Sequence, residues 1–237
     1  MPLSPGHCVS RTRCPLVDPR VMAAIIPYRA FTREQLSREV TPVLQRGGLV
    51  AVPTETFYGL GVNPFDQMAL QRLCAVKGRR EGQPILVLVG SLREVGLFAE
   101  HVPAAASILM EALWPGALTI VLPARPSVPA ALTAGTGRIG IRLSSCPPLR
   151  TVLELVGPLT GTSANRTGAP PAQSAREVQD ALGDAVDLII DAGPTPGGMP
   201  STVVEVGDRL HIIREGAIAA EAIEALLRAR GISLKLS

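Results

Sequence analysis

An α/β fold on an open, twisted, mixed sheet is what this sequence predicts. Three observations carry the prediction. Helix-like and strand-like stretches alternate through the earlier part of the chain, whereas strands crowd together later. Short continuous apolar runs, such as PILVLV at Pro84–Val89, fit strands covered on both faces. Hydrophobic residues make up 46% of the chain and aromatic residues only 3%, so the core must be mostly Val, Leu, Ile and Ala. With no internal repeat and no long linker, the expected organisation is a tail over residues 1–30, a domain over 31–218 and a C-terminal helix and tail over 219–237.

Taken in order, the elements justify themselves locally. The first thirty residues are rich in Pro, Arg and Ser and read as a disordered tail, or as sequence upstream of a true start at Met22. They lack the apolar core of a secretory signal. Thr32 is a helix N-cap, and Gly47-Gly48 ends that helix after about Gln45. A strand over Leu49–Val52 stops at Pro53, which cannot donate to a sheet ladder. A helix runs from about Asp66 to Lys77, Pro84–Val89 is a strand, and Leu92–Glu100 and Ala104–Leu113 are helical. Trp114-Pro115-Gly116 stops the last of these. Strands follow at Leu118–Leu122 and Arg138–Leu143, then a helix over Pro148–Val156 and a strand over Leu159–Thr162. Ser174 caps a helix to Leu182, with Glu177 in capping-box position. Leu188–Ile190, Thr202–Val206 and Leu210–Ile213 are strands, and Ala219–Arg230 is the last helix.

The charge is local. The formal net charge is +3, and Arg11, Arg13, Arg20 and Arg29 against Asp18 account for all of it, leaving the remainder neutral. Attraction to a polyanion must therefore come from clustering. Cys8, Cys14, Cys74 and Cys146 have no C-x-x-C spacing and the histidines are scattered, so no zinc motif is present. Free thiols, together with the lack of an apolar run long enough to span a bilayer, point to a cytoplasmic protein without membrane contact. P-loop, H-E-x-x-H, G-x-S-x-G and GxGxxG signatures are all missing.

Polar clusters instead gather where strands end. Thr54-Glu55-Thr56 follow a buried strand, at the carboxyl edge where open sheets bind ligands. Lys77, one of two lysines beside Lys235 in an arginine-rich chain, opens the run Lys77-Gly78-Arg79-Arg80. It reads either as a point charge for phosphate or as a solvated basic helix end. Arg138 and Arg142 are four apart on a strand and share a face. They need an anion between them or acidic partners beside them. Thr162-Ser163-Ala164-Asn165 is either a donor-rich loop for phosphate or a base edge, or an ordinary turn. Ser201 starts a strand and Arg214 ends one. Jointly, so many phosphate-compatible donors on a neutral domain favour a nucleotide triphosphate.

The ordered set PTETFYGLG, KGR, WPGALT, RIGIR, TSAN-x-TG, DAG…STVVEV and IIREG, over about Phe31–Ile218, resembles the YrdC-like family. The resemblance implies an open twisted α/β sheet around a concave, positively lined cavity. It implies threonylcarbamoyl-AMP synthesis from L-threonine, bicarbonate (or CO2) and ATP, with Mg²⁺ accompanying ATP and pyrophosphate released. A partner complex would then move the threonylcarbamoyl group onto an adenosine beside the tRNA anticodon. By resemblance, Lys77, Arg79, Arg138, Ser163, Asn165 and Arg214 hold ATP, and Thr54, Thr56, Arg142 and Ser201 hold threonine or its carbamate. No enzyme nucleophile is implied; positioning and charge neutralisation suffice. In some relatives the strand after KGR carries a histidine, whereas here Ile85–Val89 is apolar throughout. The chain resembles the short, stand-alone members, which lack a second C-terminal domain. The alternative is a non-catalytic family member that binds tRNA or double-stranded RNA, in ribosome maturation for example, with affinity falling steeply with salt. A related enzyme adenylating another carbamoyl substrate is a third possibility.

Overall fold

Thr32 starts the first helix as its sequence proposes: its hydroxyl accepts from the Gln35 amide, and the Gln35 side chain accepts from the Thr32 amide. A reciprocal cap of this kind is worth about 1 kcal/mol. The structure is a computed structural model that describes residues 23–79, 82–207 and 209–232. The tail ahead of Met22, and Arg80, lie outside the described residues.

The elements, in chain order, are β1 (Ala24–Pro27), α1 (Arg33–Gln45), β2 (Val50–Val52), β3 (Gly59–Gly61), α2 (Gln67–Lys77) and β4 (Val87–Val89). Then come α3 (Val95–Phe98), α4 (Ala104–Leu113), β5 (Leu118–Pro123), α5 (Ala130–Thr133), β6 (Arg138–Leu143) and α6 (Pro147–Val156). The chain continues through β7 (Leu159–Thr160), β8 (Thr162–Ser163), α7 (Ala175–Leu182), β9 (Leu188–Asp191), β10 (Thr202–Val206), β11 (Leu210–Arg214) and α8 (Ala220–Ala229).

Among the described residues these strands form two mixed sheets, in the orders β1-β9-β2-β3-β8 and β11-β10-β5-β6-β4-β7. The α/β class and the mixed pairing match expectation, but strands expected in one sheet divide between two. The reason is local. The strand expected over Leu159–Thr162 breaks at Gly161, with β7 antiparallel to β4 and β8 antiparallel to β3. Gly161 donates to the Leu86 carbonyl, and a Cβ there would lie 2.6 Å from Leu86 Cδ1 and Leu88 Cγ. Only glycine lets the chain press this close while crossing from one sheet to the other.

The period of two along each strand sorts side chains into layers. Val50, Val52, Leu188 and Ile190 pack with Leu36 and Val40 of α1 and Leu149 and Val152 of α6. Ala51 and Ile189 face the opposite way, into the larger core with Leu118, Ile120, Ile139 and Ile141. The five-stranded sheet is thus covered on both faces, which explains its unbroken apolar runs.

One expectation needs correction. Ordered structure begins before residue 31, because β1 runs parallel to β9 at the sheet edge. Gly59–Gly61 form strand β3, antiparallel to β2. The C-terminal helix expected from about Ala219 is present as α8, and its Ile223 and Leu227 enter the larger core.

Candidate active site

The six-stranded sheet turns one face to the core and the other to a cavity of about 1160 Å³. Alternate residues reach the cavity: Thr119 and Val121 on β5, Arg138, Gly140 and Arg142 on β6, and Ser201, Val203 and Glu205 on or beside β10. The intervening Ile120, Ile139, Ile141 and Val204 are buried in the core. Thr54 and Thr56 from the β2–β3 loop, Arg79 after α2, and Ser163 and Asn165 at β8 close the other walls. Of the sequence-predicted residues, all but Lys77 line this one cavity.

Lys77 lies beneath the wall, 4% exposed. Its Nζ donates to Ser163 O at 2.5 Å, Asn165 O at 2.9 Å and Asn165 Oδ1 at 3.2 Å. It ties down the Ser163–Asn165 loop instead of projecting into the cavity, and this geometry differs from the direct phosphate contact expected of it. The reason is that backbone carbonyls buried by the loop need donors, and an ammonium supplies three. Burial, and secondarily the charge of Arg79, push its pKa down to about 8. The loop is further locked by Ser163 Oγ donating to Asn165 Oδ1 at 2.5 Å and by Asn165 Nδ2 donating to Ala169 O at 2.5 Å.

Each arginine is held differently. Arg79 donates to Pro84 O at 2.6 Å and to Thr162 Oγ1 at 3.3 Å. Arg214 donates to Ser201 O at 2.9 Å, and Ser201 Oγ lies 3.0 Å from Thr119 Oγ1. Burial and then the positive charge of Arg142 lower the Arg214 pKa. Arg138 meets Glu205 at 2.7 Å, with side chains 37% and 29% exposed. Arg142 meets Glu55 at 2.7 Å, with side chains only 6% and 16% exposed. That contact is ionic without hydrogen-bond alignment, leaving a buried Nη2 donor of Arg142 uncommitted. Arg142 Nε donates to Gly116 O at 3.3 Å.

Both paired arginines thus have acidic partners, the bland explanation for RIGIR, yet both stand on the cavity wall. Sequence reasoning placed Glu55 in the Thr54-Glu55-Thr56 cluster without giving it a role, and missed Glu205. Glu55 stood between two chosen threonines, and Glu205 faces the cavity by the same alternation that selects Ser201. Among the described residues, Glu205 is the only acid on the wall, and no group of three or more His, Cys, Asp or Glu could hold a metal.

Four guanidinium groups, hydroxyls and an apolar wall at Ile85, Leu86 and Leu88 line one cavity of an α/β protein, a lining whose chemistry suits an anionic ligand. The Sua5/YciO/YrdC family model, described as telomere recombination, matches residues 42–216, and the chain belongs to this family. It is 33% identical over 208 residues to the threonylcarbamoyl-AMP synthase of Pyrococcus abyssi, covering 87% of this chain and 61% of that protein. The chain therefore spans about three fifths of that relative. It is 35% identical over 205 residues to a putative threonylcarbamoyl-AMP synthase of Mycobacterium tuberculosis, covering 85% of this chain and 94% of the relative. The P. abyssi Sua5 structure complexed with L-threonine superposes with a TM-score of 0.79 at 29% identity, covering 92% of this chain and 65% of that one.

Proposed function

We propose that this domain is an L-threonylcarbamoyladenylate synthase, a nucleotidyltransferase acting for tRNA threonylcarbamoyladenosine formation. The observation that carries the reading is the convergence of Arg79, Arg138, Arg142 and Arg214 on one cavity that also presents Thr54, Thr56 and Ser201. The threonine bound in the P. abyssi relative supports it.

In this reading the threonine amine adds to CO2 derived from bicarbonate and loses a proton, giving a carbamate. A carbamate oxygen then attacks the α-phosphorus of ATP, and the bond to the β-phosphate oxygen breaks to release pyrophosphate. Both substrates are anions that repel each other, so alignment and charge neutralisation are the main tasks. Arg142 receives the threonine carboxylate, as a planar fork suits. Thr54, Thr56 and Ser201 contact the amino acid. Arg79, Arg138, Arg214 and the Ser163–Asn165 loop hold the nucleotide, and Lys77 acts by fixing that loop. The wall fits a metal that enters with the triphosphate, since its one acid among the described residues, Glu205, is already paired with Arg138. Mg²⁺ would supply neutralisation of phosphate charge.

No helix among the described residues is long and apolar enough to cross a membrane. A cytoplasmic setting, where tRNA and a downstream threonylcarbamoyl transferase complex would be met, follows from the proposed reaction. The test is purified protein with ATP, Mg²⁺, bicarbonate and labelled threonine. Threonine-dependent pyrophosphate release with a labelled adenylate is expected. RNA binding without turnover, or turnover only with another carbamoyl source, would overturn the reading.

A further inference from the structure

Thr54 and Thr56 line the cavity, and Glu55 between them does not. Its carboxylate reaches the back of Arg142. Oε1 lies 2.7 Å from Arg142 Nη2 and accepts from the Ser145 amide at 3.3 Å, while Oε2 accepts from the Ser144 hydroxyl. Ser144 Oγ in turn accepts from the Cys146 amide at 3.2 Å, at the start of α6. One carboxylate therefore joins the β2–β3 loop, the end of β6 and the segment that leads into α6. Arg142 Nε is also tied, to Gly116 O.

We infer that Glu55 is a positioning residue that presets Arg142 as the receptor for the amino-acid carboxylate. The inference rests on the proposed function. A guanidinium that is 94% buried is costly to keep charged without a counter-ion. Glu55 supplies that counter-charge from behind, so the cavity side of the fork stays open to substrate. Burial alone would raise the Glu55 pKa, but Arg142 and Ser144 together bring it below the ordinary carboxylate value. Glu55 thus stays ionised and paired with Arg142. Because Glu55 does not line the cavity, it is a buttress and not a lock that substrate must displace.

The test compares wild type with Glu55→Gln, which keeps the shape and loses the charge, and with Ser144→Ala, which keeps the charge and loosens its anchor. L-threonine and threoninol, which lacks the carboxylate, are titrated calorimetrically against each, alongside steady-state KM values and thermal unfolding. Glu55→Gln should weaken threonine binding by about tenfold to a hundredfold, the range for losing an outer partner of a ligating group. Threoninol binding and KM for ATP should not change, and Ser144→Ala should show the same pattern more weakly. Unchanged or tighter threonine binding in Glu55→Gln would overturn the inference, tighter binding marking Glu55 as a lock. An Arg142 Nε signal in ¹⁵N–¹H spectra, sharp in wild type and broadened in Glu55→Gln, reports positioning without substrate. A broadened signal in a protein that binds no threonine would uphold the positioning and defeat the proposed substrate; an unaltered signal would defeat the positioning itself.

Discussion

Arg138 and Arg142 share one strand, one face and one cavity, yet they are built for different work. Arg142 is buried, gripped by Glu55 behind and by Gly116 O beside it. Arg138 is more than a third exposed and meets the partly exposed wall residue Glu205 as its acid. A buried, doubly held cation loses little freedom on binding an anion and acts in a medium that screens weakly. A surface pair exchanges partners cheaply and contributes little. In the proposed function, burial and not residue type separates a rigid receptor from an adjustable one.

The comparison is open to being broken, beginning with its strongest member. Arg142→Ala should lower kcat/KM for threonine by about 10²–10³-fold, the range for removing a preorganised charge-stabilising donor. Its Tm should also drop, because Glu55 is left buried and unpaired, and adding Glu55→Gln should restore Tm without restoring turnover. Lys77→Met comes next. Losing charged hydrogen bonds of about 1.5–3 kcal/mol should lower kcat/KM for ATP by roughly tenfold to a hundredfold, with threonine affinity spared. Arg138→Ala should raise KM for ATP by less than about fivefold, as an exposed pair worth at most about 1 kcal/mol implies. A loss in Arg138→Ala equal to that in Arg142→Ala would erase the distinction, and initial-rate kinetics at varied ATP and threonine decide it.

The smallest effect is a tilt in stability with pH. Lys77 has a folded-state pKa of about 8 against 10.5 as the ordinary value. Between these the unfolded chain binds more protons than the folded one, so stability from Lys77 rises with pH across that window. Urea unfolding from pH 7.5 to 10 should show this rise in wild type and a flatter profile in Lys77→Met.

Much of this was legible in the chain because local chemistry decided it. Thr32, Asp66 and Ser174 cap the helices they were expected to start, each accepting from a backbone amide. Glu177 departs in detail: its carboxylate accepts from the Gln173 amide and the Ser174 hydroxyl. RIGIR was legible because a period of two puts Arg138 and Arg142 on one face whatever the sheet. What failed depended on distant partners. β1 and β3 are strands because β9, β2 and β8 offer ladders, which four residues or a glycine-rich triplet cannot announce. The division into two sheets hangs on the fit of Gly161 against Leu86 and Leu88. Lys77 looked like a ligand because the loop that buries it lies 86 residues further along. Glu55 carried no signal beyond its place in the motif, since its partners lie about 90 residues away.

The most direct measurement is a crystal structure of the protein with L-threonine and a non-hydrolysable ATP analogue. The expected result is the threonine carboxylate on Arg142, with Glu55 still behind it and the triphosphate among Arg79, Arg138 and Arg214. Threonine bound away from Arg142, or a Glu55 side chain swung out to admit it, would contradict the division of labour drawn here.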